Sequence, residues 1–267
     1  MKLLKRLNTR GESCTTLRRQ LILVAAFLCL VSANQAAVAA QSPAARGFEE
    51  CLIHFANATP PTFRAGTLNT RPLCFESFAV LHSATTRTPV YVAERLNRAT
   101  LSNKNGGRRT NRFFEDARLP FAERATLNDY DGSGFARGHM APAGDMLTAS
   151  AMAQSFSLAN IVPQASRNNS GVWAGIERAT RKYVMRADGD IYILTGPVFE
   201  PPARYVGTGK VQIPRYLFKL VYDPSTNRAW AHWIENIDEA RASRPISYTE
   251  LVKRTGIRFL PNVRPDD

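Results

Sequence analysis

The run Ser133-Gly134-Phe135-Ala136-Arg137-Gly138-His139-Met140-Ala141-Pro142-Ala143-Gly144-Asp145-Met146 sets a permanent cation and a titratable imidazole two residues apart, with one glycine between them. In an extended segment, alternation turns Arg137 and His139 to the same face. An arginine fork grips an anion and an imidazole beside it moves a proton, the two tasks that phosphodiester chemistry requires. Gly138 is expected to let a substrate backbone approach closely, and Pro142 ends any strand ladder. An isolated Arg-Gly-His is more often a hydrogen-bonded strand histidine beside a surface arginine, so the weight falls on what lies around it.

The elements that must hold these residues follow from pattern. Phe78-Ala79-Val80-Leu81-His82 and Pro89-Val90-Tyr91-Val92-Ala93 predict a hairpin. Between Arg95 and Arg112, Lys104, Arg108, Arg109 and Arg112 surround Gly106-Gly107. That cluster reads as a solvated loop from which one or two arginines reach a phosphate. Thr148 to Ser157 predicts a short helix capped by Thr148 or Ser150, and Leu158 to Gln164 a brief extended segment. A second helix is expected from near Asn169 to about Met185. At 100° per residue, Val172, Ile176, Ala179 and Tyr183 form its core stripe. Asn169, Trp173, Glu177 and Arg181 form a second stripe that can face a cleft. The plain alternative is an exposed Glu177–Arg181 pair, worth about 0.3–0.5 kcal/mol. Further on come a strand at Asp190 to Gly196 and a strand pair, Val211 to Tyr222 with Arg228 to Ile234, turning at Asp223-Pro224-Ser225. Ser247 to Thr255 predicts a last helix with a Ser247/Glu250 capping box. No internal repeat is visible. The pattern is α+β: a mixed, mainly antiparallel sheet with flanking helices.

With 267 residues, 44% hydrophobic, the chain can bury a substantial core. Its formal charge is +13. The first forty residues hold six of the 35 basic residues and one of the 22 acidic ones, so residues 41–267 still carry +8. A basic surface attracts polyanions without choosing among nucleic acid, anionic lipid and polysaccharide. Leu21 to Ala33 is an apolar run behind a basic stretch and ahead of Ala36-Ala37-Val38-Ala39-Ala40, the layout of a secretory signal peptide over residues 1–40. Arg18-Arg19-Gln20-Leu21 also looks like a twin-arginine export signal, and the route is open. A periplasmic or secreted protein is the expectation, with no stable membrane association after cleavage. Cys14 and Cys29 would leave with that segment, so Cys51 and Cys74 are expected to pair in an N-terminal arm, residues 41–74, of little regular structure. His54, His82, His139 and His232 are too scattered to predict a metal cage.

Three pieces now stand in order: Arg137-Gly138-His139 with Pro142, Asn160-Ile161-Val162-Pro163-Gln164, and Asn168-Asn169-Ser170-Gly171-Val172-Trp173-Ala174-Gly175-Ile176-Glu177. Together they resemble the DNA/RNA non-specific endonuclease family, the ββα-metal (His-Me finger) nucleases, from about Phe75 to Pro261. The resemblance implies a nuclease domain over residues 75–267 with a ββα-metal motif. It implies metal-dependent hydrolysis of DNA and RNA that leaves 5′-phosphate ends. His139 would match the general base. Asn169 would match the single protein ligand of Mg²⁺, with Mn²⁺ able to substitute. Arg137, Asn160, Glu177 and Arg181 would match supporting positions, and Arg109 or Arg112 an upstream phosphate contact. Ala136 departs from the Asp usual before Arg-Gly-His. DNA and RNA are the expected partners, and a homodimer is left open. A non-catalytic basic nucleic-acid-binding protein of the cell envelope would share the charge, but has no need of His139, Asn169 and Glu177. A secreted protein that binds anionic surface polymer would need none of them either.

Overall fold

The computed structural model describes residues 47–63, 68–102 and 109–266. The export segment at residues 1–40, and Lys104 and Arg108 of the basic cluster, lie outside them. Seven strands form one sheet in the order β1-β2-β3-β6-β9-β10-β11: β1 Thr70–Cys74, β2 Phe78–Ser83, β3 Thr88–Leu96, β6 Ile191–Val198, β9 Tyr216–Asp223, β10 Arg228–Glu235 and β11 Ile246–Ser247. Every neighbouring pair is antiparallel, while two isolated bridges, Phe114–Ser157 and Arg228–Asp266, run parallel. The fold is α+β, as the pattern predicts.

Layers on both faces of the sheet explain why β2 and β3 read as continuous apolar runs rather than alternating ones. On one face Ala79, Leu81, Tyr91, Phe218 and Leu220 pack with Phe48, Phe55 and Phe259. On the other, Phe78, Val80, Val92 and Leu217 meet Met140, Trp173 and Ile176.

The N-terminal segment is more ordered than expected. Short 3₁₀ turns at Leu52–His54 and Ala56–Ala58 bring Phe48 and Phe55 to 5.0 Å of each other and against Tyr91. Cys51 and Cys74 are disulfide-bonded, tying this segment to β1. Two buried phenylalanines and a covalent staple hold a stretch whose proline content reads as a loop, and β1 itself carries no clear alternation.

Three further helices and four short strands complete the part that matters for function. These are α1 Arg98–Ser102, α2 Leu127–Tyr130, α3 Ala149–Ser155, β4 Ala136–His139, β5 Ile161–Gln164, and the pair β7 Tyr205–Val206 and β8 Val211–Gln212. The strand expected from Val211 to Tyr222 is thus two, interrupted at Ile213-Pro214-Arg215. Thr148 caps α3, its hydroxyl accepting from Ala151 N–H at 3.0 Å. The last helix, Tyr248–Thr255, has half of its expected box: Ser247 accepts from Glu250 N–H, while the Glu250 carboxylate turns to Arg254.

The helix beyond β5 departs in phase from its expected stripe. It begins as α4, Ser166–Asn168, passes through a π turn at Asn169–Trp173, and continues as α5, Ala174–Val184. A π turn widens the helix locally, so residues after it are rotated relative to an unbroken 100° count. Trp173, Ile176, Thr180 and Val184 are buried, whereas Ala179 is exposed and Val172 and Tyr183 only half-buried. Trp173 therefore belongs to the core rather than to the cleft stripe.

Candidate active site

β4 and β5 pair antiparallel with Ala136 opposite Gln164 and His139 opposite Ile161, and the π-interrupted helix follows directly. This is a ββα unit. Gly138 has a role in it other than the expected one. A Cβ there would stand 2.1 Å from Gln164 Oε1 and 2.6 Å from Gln164 Cβ, so the glycine makes room for a buried glutamine of β5 rather than for substrate. Gln164 in turn donates to Asn168 Oδ1 at 2.8 Å, and Asn168 donates to the Glu235 carbonyl at 2.8 Å, fastening the helix start to the strand pair and the sheet.

Asn160 works on the other end of β4. Fully buried, it accepts from Ala141 N–H and donates to the carbonyls of Ala141 and Ser155, each at 2.9 Å. Its side chain is consumed by backbone, which makes it a positioning residue for the segment just after His139.

His139 sits in an aromatic box. Phe156 meets its ring edge to face at 5.0 Å and Phe113 lies tilted at 5.5 Å. Two guanidiniums flank the box, Arg137 at 5.3 Å over Phe113 and Arg109 at 5.4 Å over Phe156. Burial pushes the imidazole down to about 3, with the charge of Arg109 acting in the same direction. His139 Nε2 is buried without a hydrogen-bond partner among the described residues. Arg137 donates to Asp131 at 2.6 Å. Of the two upstream candidates, Arg109 joins the site; Arg112 is exposed and makes no ion pair or ring contact among the described residues.

The opposite wall is a buried charged layer that sequence reading only half found. Arg181 on α5 pairs with buried Asp145 at 2.7 Å, tying the helix to the turn that follows β4. Lys219 on β9 is 1% exposed and donates to Thr195 Oγ1 at 2.7 Å. Strand register places Val92, Thr195 and Lys219 side by side, and Glu94 lies two residues along β3 on that face. Both Glu94 carboxyl oxygens are buried without hydrogen-bond partners among the described residues. Burial, reinforced by Asp145, holds Glu94 well above the usual carboxylate range. Burial likewise pushes Glu177 up to about 7, against the opposing pull of Lys219. Glu94 and Lys219 carry no local motif, a charge inside an apolar strand run being their only trace in the sequence, and Asp145 lies in the turn after β4 with no feature to mark its role.

Asn169 begins the π turn, half-exposed, and its side-chain amide makes no hydrogen bond among the described residues. No group of three or more His, Cys, Asp or Glu able to hold a metal occurs among those residues. One free neutral oxygen donor fits a hard divalent ion that keeps most of its waters and takes the rest of its ligands from phosphate.

A family model for DNA/RNA non-specific endonucleases matches residues 58–266. The chain belongs to that family. Among relatives, it is 33% identical over 215 residues to human mitochondrial nuclease EXOG, covering 73% of this chain and 58% of that one. To nuclease C1 of Cunninghamella echinulata var. echinulata it is 35% identical over 169 residues, 59% and 67% of the two chains. To human mitochondrial endonuclease G it is 30% identical over 208 residues, 70% and 69%. The chain thus spans little more than half of EXOG. A solved EndoG/EndoGI complex shares the fold of this DNA/RNA non-specific endonuclease family member, with a TM-score of 0.68 over 75% of this chain and 89% of that one at 21% identity.

Proposed function

We propose that this protein is an exported, sugar-non-specific endonuclease that hydrolyses phosphodiester bonds of DNA and RNA and leaves 5′-phosphate ends. The observation that carries the reading is the imidazole of His139, buried between two rings and flanked by Arg109 and Arg137. The guanidinium of Arg137 binds the scissile phosphate, exchanging Asp131 for it, and Arg109 adds a second positive charge. His139 Nδ1 takes a proton from water, whose oxygen bonds to phosphorus. The bond from phosphorus to O3′ breaks, and O3′ takes a proton from solvent. Asn169 would hold Mg²⁺, or Mn²⁺ in its place, which supplies Lewis acidity at the phosphate oxygens. Glu177 orients water on that side, and Asn160 and Arg181 keep the walls in register.

Export is part of the proposal. Its supports are the basic-then-apolar pattern before residue 41 and the Cys51–Cys74 disulfide, which suits an oxidising compartment such as the periplasm. No helix among the described residues is long and apolar enough to cross a membrane. The test is plasmid and RNA digestion by purified protein with Mg²⁺, then with excess EDTA. Loss of full-length DNA and RNA that stops with EDTA is expected. Binding without cutting in Mg²⁺ would favour the non-catalytic nucleic-acid-binding protein instead.

A further inference from the structure

Phe135 stands one residue before β4, and alternation carries the face of Arg137 and His139 back to it. Contacts agree with that placement. Arg137 lies over Phe113 and, at 5.8 Å, over Tyr130, and the same apolar cluster takes in Phe135. Beyond Phe135 comes Arg204, its guanidinium 5.9 Å from the ring centroid. Along one edge the order is therefore imidazole, cation, ring, cation. Arg204 is exposed and has no ion pair among the described residues.

Its placement is not left to a loose loop. Arg204 leads into the β7–β8 pair, where its carbonyl accepts from Ile213 N–H at 2.8 Å. The turn of that hairpin docks on α2: Gly209 N–H donates to buried Asp129 at 2.6 Å, and a Cβ on Gly207 would stand 2.3 Å from Asp129 Cα. Asp129 is also the acid of the capping box that starts α2 with Thr126. The same four-residue helix presents the Tyr130 ring and the Leu127 carbonyl to Arg137, and Asp131 follows it. One small element thus orients both cations.

We propose that Arg204, backed by Phe135, is a second phosphate-binding cation, so that the β7–β8 hairpin receives the nucleic-acid backbone beyond the scissile phosphate. This rests on the nuclease reading above and names how that site holds a long strand. Phe135 lies two residues, about 6.8 Å, back along the strand from Arg137, and Arg204 meets Phe135 while Arg137 meets Phe113 and Tyr130, so the two guanidiniums are assigned to different phosphates. A permanently charged, unpaired guanidinium beside an aromatic face suits a polynucleotide, which offers a phosphate and a base face in succession. The alternative is that Arg204 only packs the hairpin against Phe135.

The test is equilibrium binding by fluorescence anisotropy across a salt series, on His139→Ala protein with and without Arg204→Ala. The two probes are a long single strand and a dinucleotide with one phosphodiester. With the long strand, Arg204→Ala is expected to weaken binding several-fold and to lower the slope of log affinity against log salt by about 0.7, the loss of one phosphate contact. Arg204→Lys should restore the slope, and the dinucleotide should bind both proteins alike. An unchanged slope with the long strand overturns the proposal, as does an equal loss with the dinucleotide. Full cleavage by folded His139→Ala would instead end the nuclease mechanism, and is read in a separate digestion.

Discussion

The two walls of the site are both dry, and dryness acts on them in opposite ways. On the β4 wall, apolar rings surround a base, and burial drives His139 toward its neutral form, which is the form that accepts a proton. On the sheet wall beneath α5, burial acts on acids and drives Glu94 and Glu177 toward their neutral forms as well. There the neutral form is no use to a water-orienting carboxylate. Lys219 and Arg181 supply the compensation that the β4 wall does without. Rings keep a base neutral but also lower its proton affinity; an acid that must stay charged needs a buried cation from another strand.

Removing that cation should give the largest effect. Lys219→Met keeps the stem and deletes the charge, removing the larger part of the compensation for Glu177 and leaving Arg181 to supply the rest. The expected loss is about 3 kcal/mol at pH 8, from leaving buried negative charge short of a cation and Thr195 without its donor, measured by urea unfolding. The loss should shrink toward pH 5 as the acids take up protons. A loss that does not vary with pH would mean that Lys219 acts only through packing on Trp173.

Next in size is the β4 wall. His139→Ala should lower cleavage by at least ~10²-fold, about 2.7 kcal/mol in the barrier, with folding checked by circular dichroism. It should also change the pH dependence of stability. An unfolded imidazole takes a proton below about pH 6.5, whereas the folded His139 resists until about 3. The unfolded chain therefore binds more protons across that window, and stability falls as pH drops through it. His54 and His82, buried and shifted in the same direction, add to the same slope. The quantity to compare is thus wild type minus variant, which should lose one histidine's share. No difference in slope would break the assignment of His139 as a buried neutral base.

The smallest effect sharpens the contrast. Glu94→Gln replaces an unpartnered buried carboxyl with a group that never ionises. A carboxyl whose folded value is raised contributes stability that is present at low pH and lost as pH rises from about 4.5 upward. The variant should therefore gain on wild type with rising pH, by on the order of 1 kcal/mol at pH 8 in thermal unfolding. Destabilisation at pH 8 would show instead that Glu94 stands ionised as a partner of Lys219.

Local pattern determined much of this site. Alternation put Arg137 and His139 on one face, because a strand repeats every two residues whatever packs on it. The caps at Thr148 and Ser247, the β2–β3 hairpin and the Cys51–Cys74 pairing were legible for the same reason: each depends on neighbours in sequence, or on thiols with no other partner. Tertiary structure decided the rest. The π turn at Asn169–Trp173 changed which residues of the helix face the core, and no count along the chain registers a widened turn. Gly138 answers to Gln164 of another strand, and Arg204 reaches Phe135 only because Asp129 seats a distant hairpin. Glu94, Asp145, Glu177, Arg181 and Lys219 come from two sheet strands, a helix and a turn. Charges so far apart in sequence acquire their meaning from a low-dielectric space that exists only after the chain has closed around it.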